Sequence, residues 1–379
     1  MNILHICDYA AAYRGNFIES LEVLNQKLNK AGSKIVYAFP QRIENREDHW
    51  YEKLAEHSPV YVYGTSFFDK IKLFKKIINE QEIDIVHTHF TNNETDLCVK
   101  IACGSKSIIK VKNYESRYGV SGIKKKIAAK LIYKNWHAIG VSKSVDEEIS
   151  KFNPFLSHRF INNAVFFKRL DSFEPIDKKS VFPEDNSINC FMLAYDYRLK
   201  GADIALEAIS QLRQKYNIYI MISVPSNLEK IKEQIINQFG EIPNWVRLVP
   251  PRNDIAAYYD ISDIFLSASR REGFCYAIVE AAYCKNTVIA SDCEGQLCHA
   301  QKNLDILWFE NENSRSLSEA IQKAINLLDN DELKEKNKAL ATQNYNIDAW
   351  ANSVIEAYKD FENNFCTAGH KNFSDFLLI

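Results

Sequence analysis

No apolar run in the sequence approaches the roughly 20 residues that span a bilayer, so a transmembrane helix is not expected. The start, MNILHICDY, carries no basic segment ahead of an apolar one; it reads as a core strand, and no secretory leader is expected. No C-x-x-C pair occurs among the nine cysteines, and the nearest spacings, Cys98/Cys103 and Cys293/Cys298, fit no zinc or redox signature. Most of the thiols, Cys7 and Cys190 among them, fall inside strand-like runs, where a free cysteine behaves as a small buried hydrophobe. A reducing cytoplasm is the expected compartment. A G-x-G-x-x-G is also missing, which speaks against a nicotinamide-dinucleotide site, and there is no 20–50-residue repeat or low-complexity tract. The net charge is only −2, and no nucleic-acid partner is expected.

What is present is a soluble globular composition, 46% hydrophobic and 25% charged over 379 residues, enough for two domains. The charge is unevenly spread: residues 1–170 hold 26 Lys and Arg against 18 Asp and Glu, leaving 21 against 31 for the remainder. A basic first half suits an anionic surface or ligand, or reflects solvation alone. Short apolar runs at 3–7, 35–39, 83–88, 107–111 and 138–141 read as buried strands. Between them lie amphipathic stretches such as 16–31, with Phe17, Leu21, Leu24 and Leu28 on one face. After a polar, proline-containing segment at 171–187, which reads as a linker, the pattern restarts. Strands are expected at 188–193, 218–223, 246–249, 263–266 and 287–290, with helices at 202–215 and 227–239 and a final helix from about 347 to 361. Continuous apolar strands joined by helices imply parallel sheets covered on both faces. The expected fold class is therefore α/β, with two Rossmann-like doubly wound domains whose ligands bind at the C-terminal ends of the strands, in a cleft between the domains.

One segment stands out, SASRREGFCYAIVEAAYCKNTVIASD from Ser267 to Asp292. A strand runs into a polar loop holding Glu272-Gly273-Phe274, a helix begins there and carries Glu280, and a second strand follows. Backbone N–H groups of Gly273, Phe274 and Cys275 at a helix N-terminus can receive diphosphate or sugar oxygens. Glu272 can accept from sugar hydroxyls. Eight residues at 3.6 per turn bring Glu280 to about 80° past two full turns from Glu272, so a helix through both would place them on nearly one face, with Glu280 toward ribose hydroxyls.

This stretch resembles the Glu-x7-Glu motif of retaining GT-B glycosyltransferases of the family 4 type. The resemblance extends over most of the chain. Asp84-Ile-Val-His-Thr-His89, Gly140-Val-Ser142, Asn163-Ala164-Val165, Lys200-Gly201-Ala-Asp203 and Val288-Ile-Ala-Ser-Asp292 are similar to family segments in the same order. It implies an acceptor-side domain over 1–170, a nucleotide-sugar donor domain over 171–345, a C-terminal helix at 346–365 packing back on the first domain, and a tail at 366–379. It also implies transfer of a hexose or N-acetylhexosamine from a nucleoside diphosphate, UDP by default, to a saccharide, glycolipid or cell-surface polymer, with retention and without a metal or other cofactor. Lys200 and Arg198 would stabilise the leaving diphosphate, Arg by a planar fork and Lys as a point charge. The family's arginine falls at Tyr195 here, so Arg198 would approach from another angle. Gly15 and Asn16 resemble the family's N-terminal glycine loop, and Arg252 falls where the family contacts the nucleobase. The family's cleft histidine has no counterpart, and Lys112, Asn113 or Glu115 are the candidates to replace it. His87 and His89 are not expected to hold a metal, because no third ligand lies nearby in sequence.

Two basic amphipathic stretches, 67–78 and 123–136, suit either an anionic membrane surface, which would make the protein peripheral on the inner face, or core helices with solvated lysines. The alternatives to a transferase are a non-catalytic GT-B partner subunit, marked by a decayed Glu-x7-Glu or a lost Lys200, and a GT-B sugar epimerase, which would convert the donor alone.

Overall fold

The computed structural model describes residues 1–11, 14–45, 50–114, 130–152 and 156–368. The chain divides into two compact units, 1–164 with 347–379, and 165–346.

Among the described residues of the first unit seven parallel strands run β1 (Asn2–Cys7), β2 (Lys34–Pro40), β3 (Val60–Tyr63), β4 (Ile85–His89), β5 (Ile109–Tyr114), β6 (His137–Gly140) and β7 (Ser157–Phe160). Their order in the sheet is β3-β2-β1-β4-β5-β6-β7. The chain winds outward from β1 to one edge, returns to β4 and winds to the other, so β1 and β4 flank the topological switch. The inner strands are almost wholly buried, which is why they read as unbroken apolar runs. The edge strands β3 and β7 are four residues each and only partly buried or exposed; neither is among the strands expected from the sequence, β7 because Ser-His-Arg-Phe is largely polar and β3 because its apolar run is so short.

Helix Gly15–Lys30 buries Ile18, Leu21, Leu24 and Leu28 against this sheet. The terminal helix Ile347–Ala368 adds Ala351, Val354, Ala357, Tyr358 and Phe361 to the same core. Its Tyr358 hydroxyl lies 2.7 Å from His87 Nδ1. The segment 130–136 is partly ordered as helix, with Ile132, Tyr133 and Trp136 buried. The rest of the expected basic stretch, 123–129, lies outside the described residues, as do Glu115 and the tail from 369.

The second unit repeats the architecture with six parallel strands: β8 (Ile188–Leu193), β9 (Ile218–Ser223), β10 (Val246–Val249), β11 (Ile264–Ser267), β12 (Thr287–Ser291) and β13 (Ile306–Phe309). The order is β10-β9-β8-β11-β12-β13, with β8 and β11 at the switch. The segment 171–187 is more than a linker: it holds a short helix, Lys178–Val181, and buries Phe182 at 1% exposure. Residues from Val165 onward already belong to this unit; Val165 bridges Asn346 in parallel, and its N–H donates to the Tyr345 carbonyl at 3.0 Å.

Candidate functional site

The switch between β8 and β11 gathers the residues of interest. Beyond β8 the chain turns through Tyr195 to Gly201 and enters helix Ala202–Leu212. Gly201 has φ +69°, and a Cβ there would stand 1.8 Å from the Ala268 carbonyl oxygen, so only glycine lets this turn lie against the loop after β11. That contact sets Lys200 beside Glu272, 72 residues away, as an ion pair with both side chains about 15% exposed. Burial alone would lower the Lys200 ammonium; the Glu272 carboxylate, with Cys275 and Tyr195, outweighs it and holds the group above its usual range. Ser269 Oγ donates to Glu272 Oε1 at 2.7 Å, the same oxygen that meets Lys200. Glu272 Oε2 makes no hydrogen bond among the described residues.

Glu272 is not on the helix. The helix spans Tyr276–Tyr283, with Cys275 as its cap in the left-handed region at φ +66°, so the shared helix face expected for Glu272 and Glu280 does not exist. Gly273, Phe274 and Cys275 form the turn between them, and none of their three backbone N–H groups donates to another described residue. Most buried backbone donors in folded proteins are paired, so three in succession beside a lysine leave hydrogen-bonding capacity of the kind that can receive an anion.

Several other expected residues are engaged elsewhere. Glu280 is 5% exposed and forms an ion pair with Arg169, while Tyr259 donates to its Oε2 at 3.3 Å. Arg169, 111 residues upstream, had no sequence signal. Arg198 is 71% exposed on its side chain, 3.8 Å from Asp203. The fixed guanidinium here is instead Arg270, with two 2.8 Å bonds to Asp203, a third to Glu312, and a contact to the Arg198 carbonyl. Arg252 forms a fork with Asp254 at 2.8 and 2.7 Å and also reaches the Glu174 carbonyl, so it ties 174 to the loop after β10. Tyr195 is 46% exposed, its ring 4.9 Å from Lys200 Nζ.

Gly15 opens helix Gly15–Lys30 with φ +58°. Asn16 is buried, and its amide donates to the Ala164 carbonyl at 2.7 Å; the side chain anchors the helix rather than facing a ligand. Lys112 is 1% exposed, 2.9 Å from the buried Asp96, and also donates to Thr91, so it is part of the core and not a substitute for a cleft histidine.

The structure corrects the histidine reading in one respect. His5, in register with His87 on the neighbouring strand, supplies a third ring, and one ligand-type atom of each of His5, His87 and His89 lies within 4.8 Å of the others. His5 Nδ1 lies 2.9 Å from His89 Nε2, and His87 is tied to Tyr358. Burial pushes all three down, His89 to about 3, with the Lys112 charge adding to the effect on His87 and His89. A wholly neutral donor set in an apolar core, flanked by a cation, suits a hydrogen-bonded stack.

Residues 172–346 match the family described as glycosyl transferases group 1. The chain is 27% identical over 223 residues, 58% of its own length, to the N,N'-diacetylbacillosaminyl-diphospho-undecaprenol alpha-1,3-N-acetylgalactosaminyltransferase of Campylobacter jejuni. It covers 54% of that protein, about half its length. Among solved structures, a glycosyltransferase from Rickettsia africae superposes with a TM-score of 0.77 at 19% identity, covering 96% of this chain and 99% of that one. Anabaena HepE in complex with UDP and glucose does so with 0.74 at 17% identity, covering 95% and 100%. At these identities the structural likenesses establish the GT-B fold.

Proposed function

We propose, from the premise that the chain has the GT-B fold and that residues 172–346 are a glycosyl transferases group 1 domain, that the protein transfers a sugar from a nucleoside diphosphate to a saccharide or lipid-linked acceptor. The observation that carries this reading is the group of three uncommitted backbone N–H groups at Gly273, Phe274 and Cys275, next to the Lys200–Glu272 pair. The N–H groups and Lys200 suit the diphosphate, and the open Oε2 of Glu272 suits a sugar hydroxyl. A hexose or N-acetylhexosamine on UDP is the donor we favour. The retained Lys200–Glu272 pair favours an active transferase over a non-catalytic partner subunit.

In the chemistry we propose, the anomeric C–O bond to the diphosphate breaks as the acceptor hydroxyl forms a new C–O bond on the same face. The hydroxyl proton passes to the departing phosphate oxygen, and Lys200 balances the growing charge without a metal. Arg270 keeps the Lys200 turn in place through Asp203 and the Arg198 carbonyl. Arg198, being exposed, is free to move onto a bound diphosphate.

We also propose that the protein works at the inner membrane face. Lys72, Lys75 and Lys76 of helix Phe67–Glu80 are exposed, as are Phe68, Ile101 and Leu131. Lys70 is excluded from that surface, because it is buried against Glu94 at 2.9 Å. Among the described residues no helix is long and apolar enough to cross a membrane. Nucleotide release measured across UDP-, GDP- and ADP-sugars, with a lipid-linked acceptor fraction added and withheld, tests the reading. Conversion of a donor without any acceptor would mark an epimerase instead.

A further inference from the structure

The loop Glu272–Cys275 is braced from behind by one segment, Ser291–His299. Ser291 Oγ donates to the Ser269 carbonyl at 2.6 Å, and Gln296 Nε2 donates to Ser267 Oγ. A Cβ on Gly295 would stand 1.8 Å from the Glu272 carbonyl oxygen. The last brace is His299, fully buried, whose Nε2 bonds the Phe274 carbonyl and whose Nδ1 lies 2.7 Å from the Tyr345 hydroxyl.

A carbonyl oxygen only accepts, so Nε2 of His299 carries the proton. Nδ1 then holds the lone pair and takes the Tyr345 O–H. Burial keeps this ring neutral, its pKa pushed down to about 4. Phe274 closes the group, with ring centroids 4.8 Å from His299 and 5.7 Å from Tyr345.

In a trans peptide the C=O and N–H point in opposite directions. With the Phe274 carbonyl fixed on His299, the Cys275 N–H is directed away from His299. Cys275 is also a non-glycine residue at φ +66°, a conformation that persists only where the surroundings impose it.

We infer that His299 and Tyr345 are positioning residues for the donor loop, together fixing the direction of its N–H groups; this rests on the donor reading above. Tyr345 carries the link further. Its carbonyl accepts from Val165 N–H, and the adjacent Asn346 bridges Val165, so the brace ends where the chain passes between the units, at 164/165 and 346/347.

The test uses the full chain and UDP as probe. Tyr345→Phe keeps the ring and removes only the hydroxyl. His299→Gln keeps an N–H for the Phe274 carbonyl, while His299→Leu fills the space and donates nothing. In ligand-free protein, amide hydrogen exchange at 272–276 is expected to rise about three- to tenfold in Tyr345→Phe, the loss of one hydrogen bond, with helix Leu228–Phe239 unchanged. UDP affinity should fall by a similar factor, and His299→Gln should retain more of it than His299→Leu at equal melting temperature, a difference that lost packing alone would not produce. Unchanged exchange and UDP affinity in all three variants would overturn the positioning role by itself. A wild-type chain that binds none of UDP, GDP or ADP would overturn the donor reading and this inference with it.

Discussion

Replacing Lys200 by alanine removes the charge on which the proposed transfer depends. The side chain is about 15% exposed and its partner Glu272 is equally enclosed, so the site is drier than a surface ion pair. Removing one fixed donor that faces developing charge costs about 3–4 kcal/mol in the transition state, a turnover loss of about 10²–10³. The ground state suffers less, because Glu272 keeps the Ser269 hydroxyl and retains partial access to water. Full burial of an unpaired carboxylate costs about 3–5 kcal/mol; at this exposure about 1–2 kcal/mol is expected, or a fall of several degrees in melting temperature. The two effects separate in one experiment. Nucleotide release is measured at saturating donor alongside thermal unfolding, and the double variant Lys200→Ala/Glu272→Gln should recover stability without recovering turnover. Near-normal turnover in folded Lys200→Ala would refute the role assigned to this lysine.

Arg169→Ala leaves Glu280 buried beside only Tyr259, and urea unfolding should show a loss of about 3–5 kcal/mol, much of it regained in Arg169→Met/Glu280→Gln. Stability should also depend on pH through the buried histidines. His5, His87 and His89 have folded pKa values below the unfolded value, so the unfolded chain binds more protons under acid conditions. Stability is then complete above pH about 6.5 and falls as the pH drops toward 3, by up to about 1.4 kcal/mol per pH unit for each ring, which chemical denaturation between pH 5 and 8 can read. A flat profile would mean that the rings are protonated in the folded state. Asn16→Ala should cost about 1–3 kcal/mol by stranding the Ala164 carbonyl, without a specific effect on UDP affinity. If the basic face docks on lipid, changing Lys72, Lys75 and Lys76 to Gln should weaken cosedimentation with phosphatidylserine vesicles by about 3 kcal/mol and leave the weak signal on neutral vesicles untouched.

The fold was legible wherever burial writes itself into composition. β1, β2, β4, β8, β9 and β12 are buried over most of their length and appear as apolar runs, whereas β7 (Ser157–Phe160) is largely exposed and carries no such run, and β3 (Val60–Tyr63) and β13 (Ile306–Phe309) are apolar but only four residues long, too short for pattern alone to tell from a turn of buried helix. The Lys200–Glu272 pair was accessible only as two motifs, because its cause is topological: the paired positions of β8 and β11, such as Cys190 and Ile264, are 74 residues apart in sequence (264 − 190) and adjacent at the switch. Helical spacing misled between Glu272 and Glu280. Periodicity applies only inside an element, and a left-handed Cys275 ends the loop and starts the helix at Tyr276. The same limit hid Arg169, Arg270, His5 and His299, since each meets its partner across 25 to 111 residues with no repeat to announce it. A residue's type told what it could bind, and the sheet order decided whether that capacity was left for a ligand. Arg252, Asn16 and Lys112 are spent on Asp254, Ala164 and Asp96. The Gly273–Cys275 amides are not, and it is this remaining capacity, rather than the Glu-x7-Glu spacing, that gives the donor reading its physical basis.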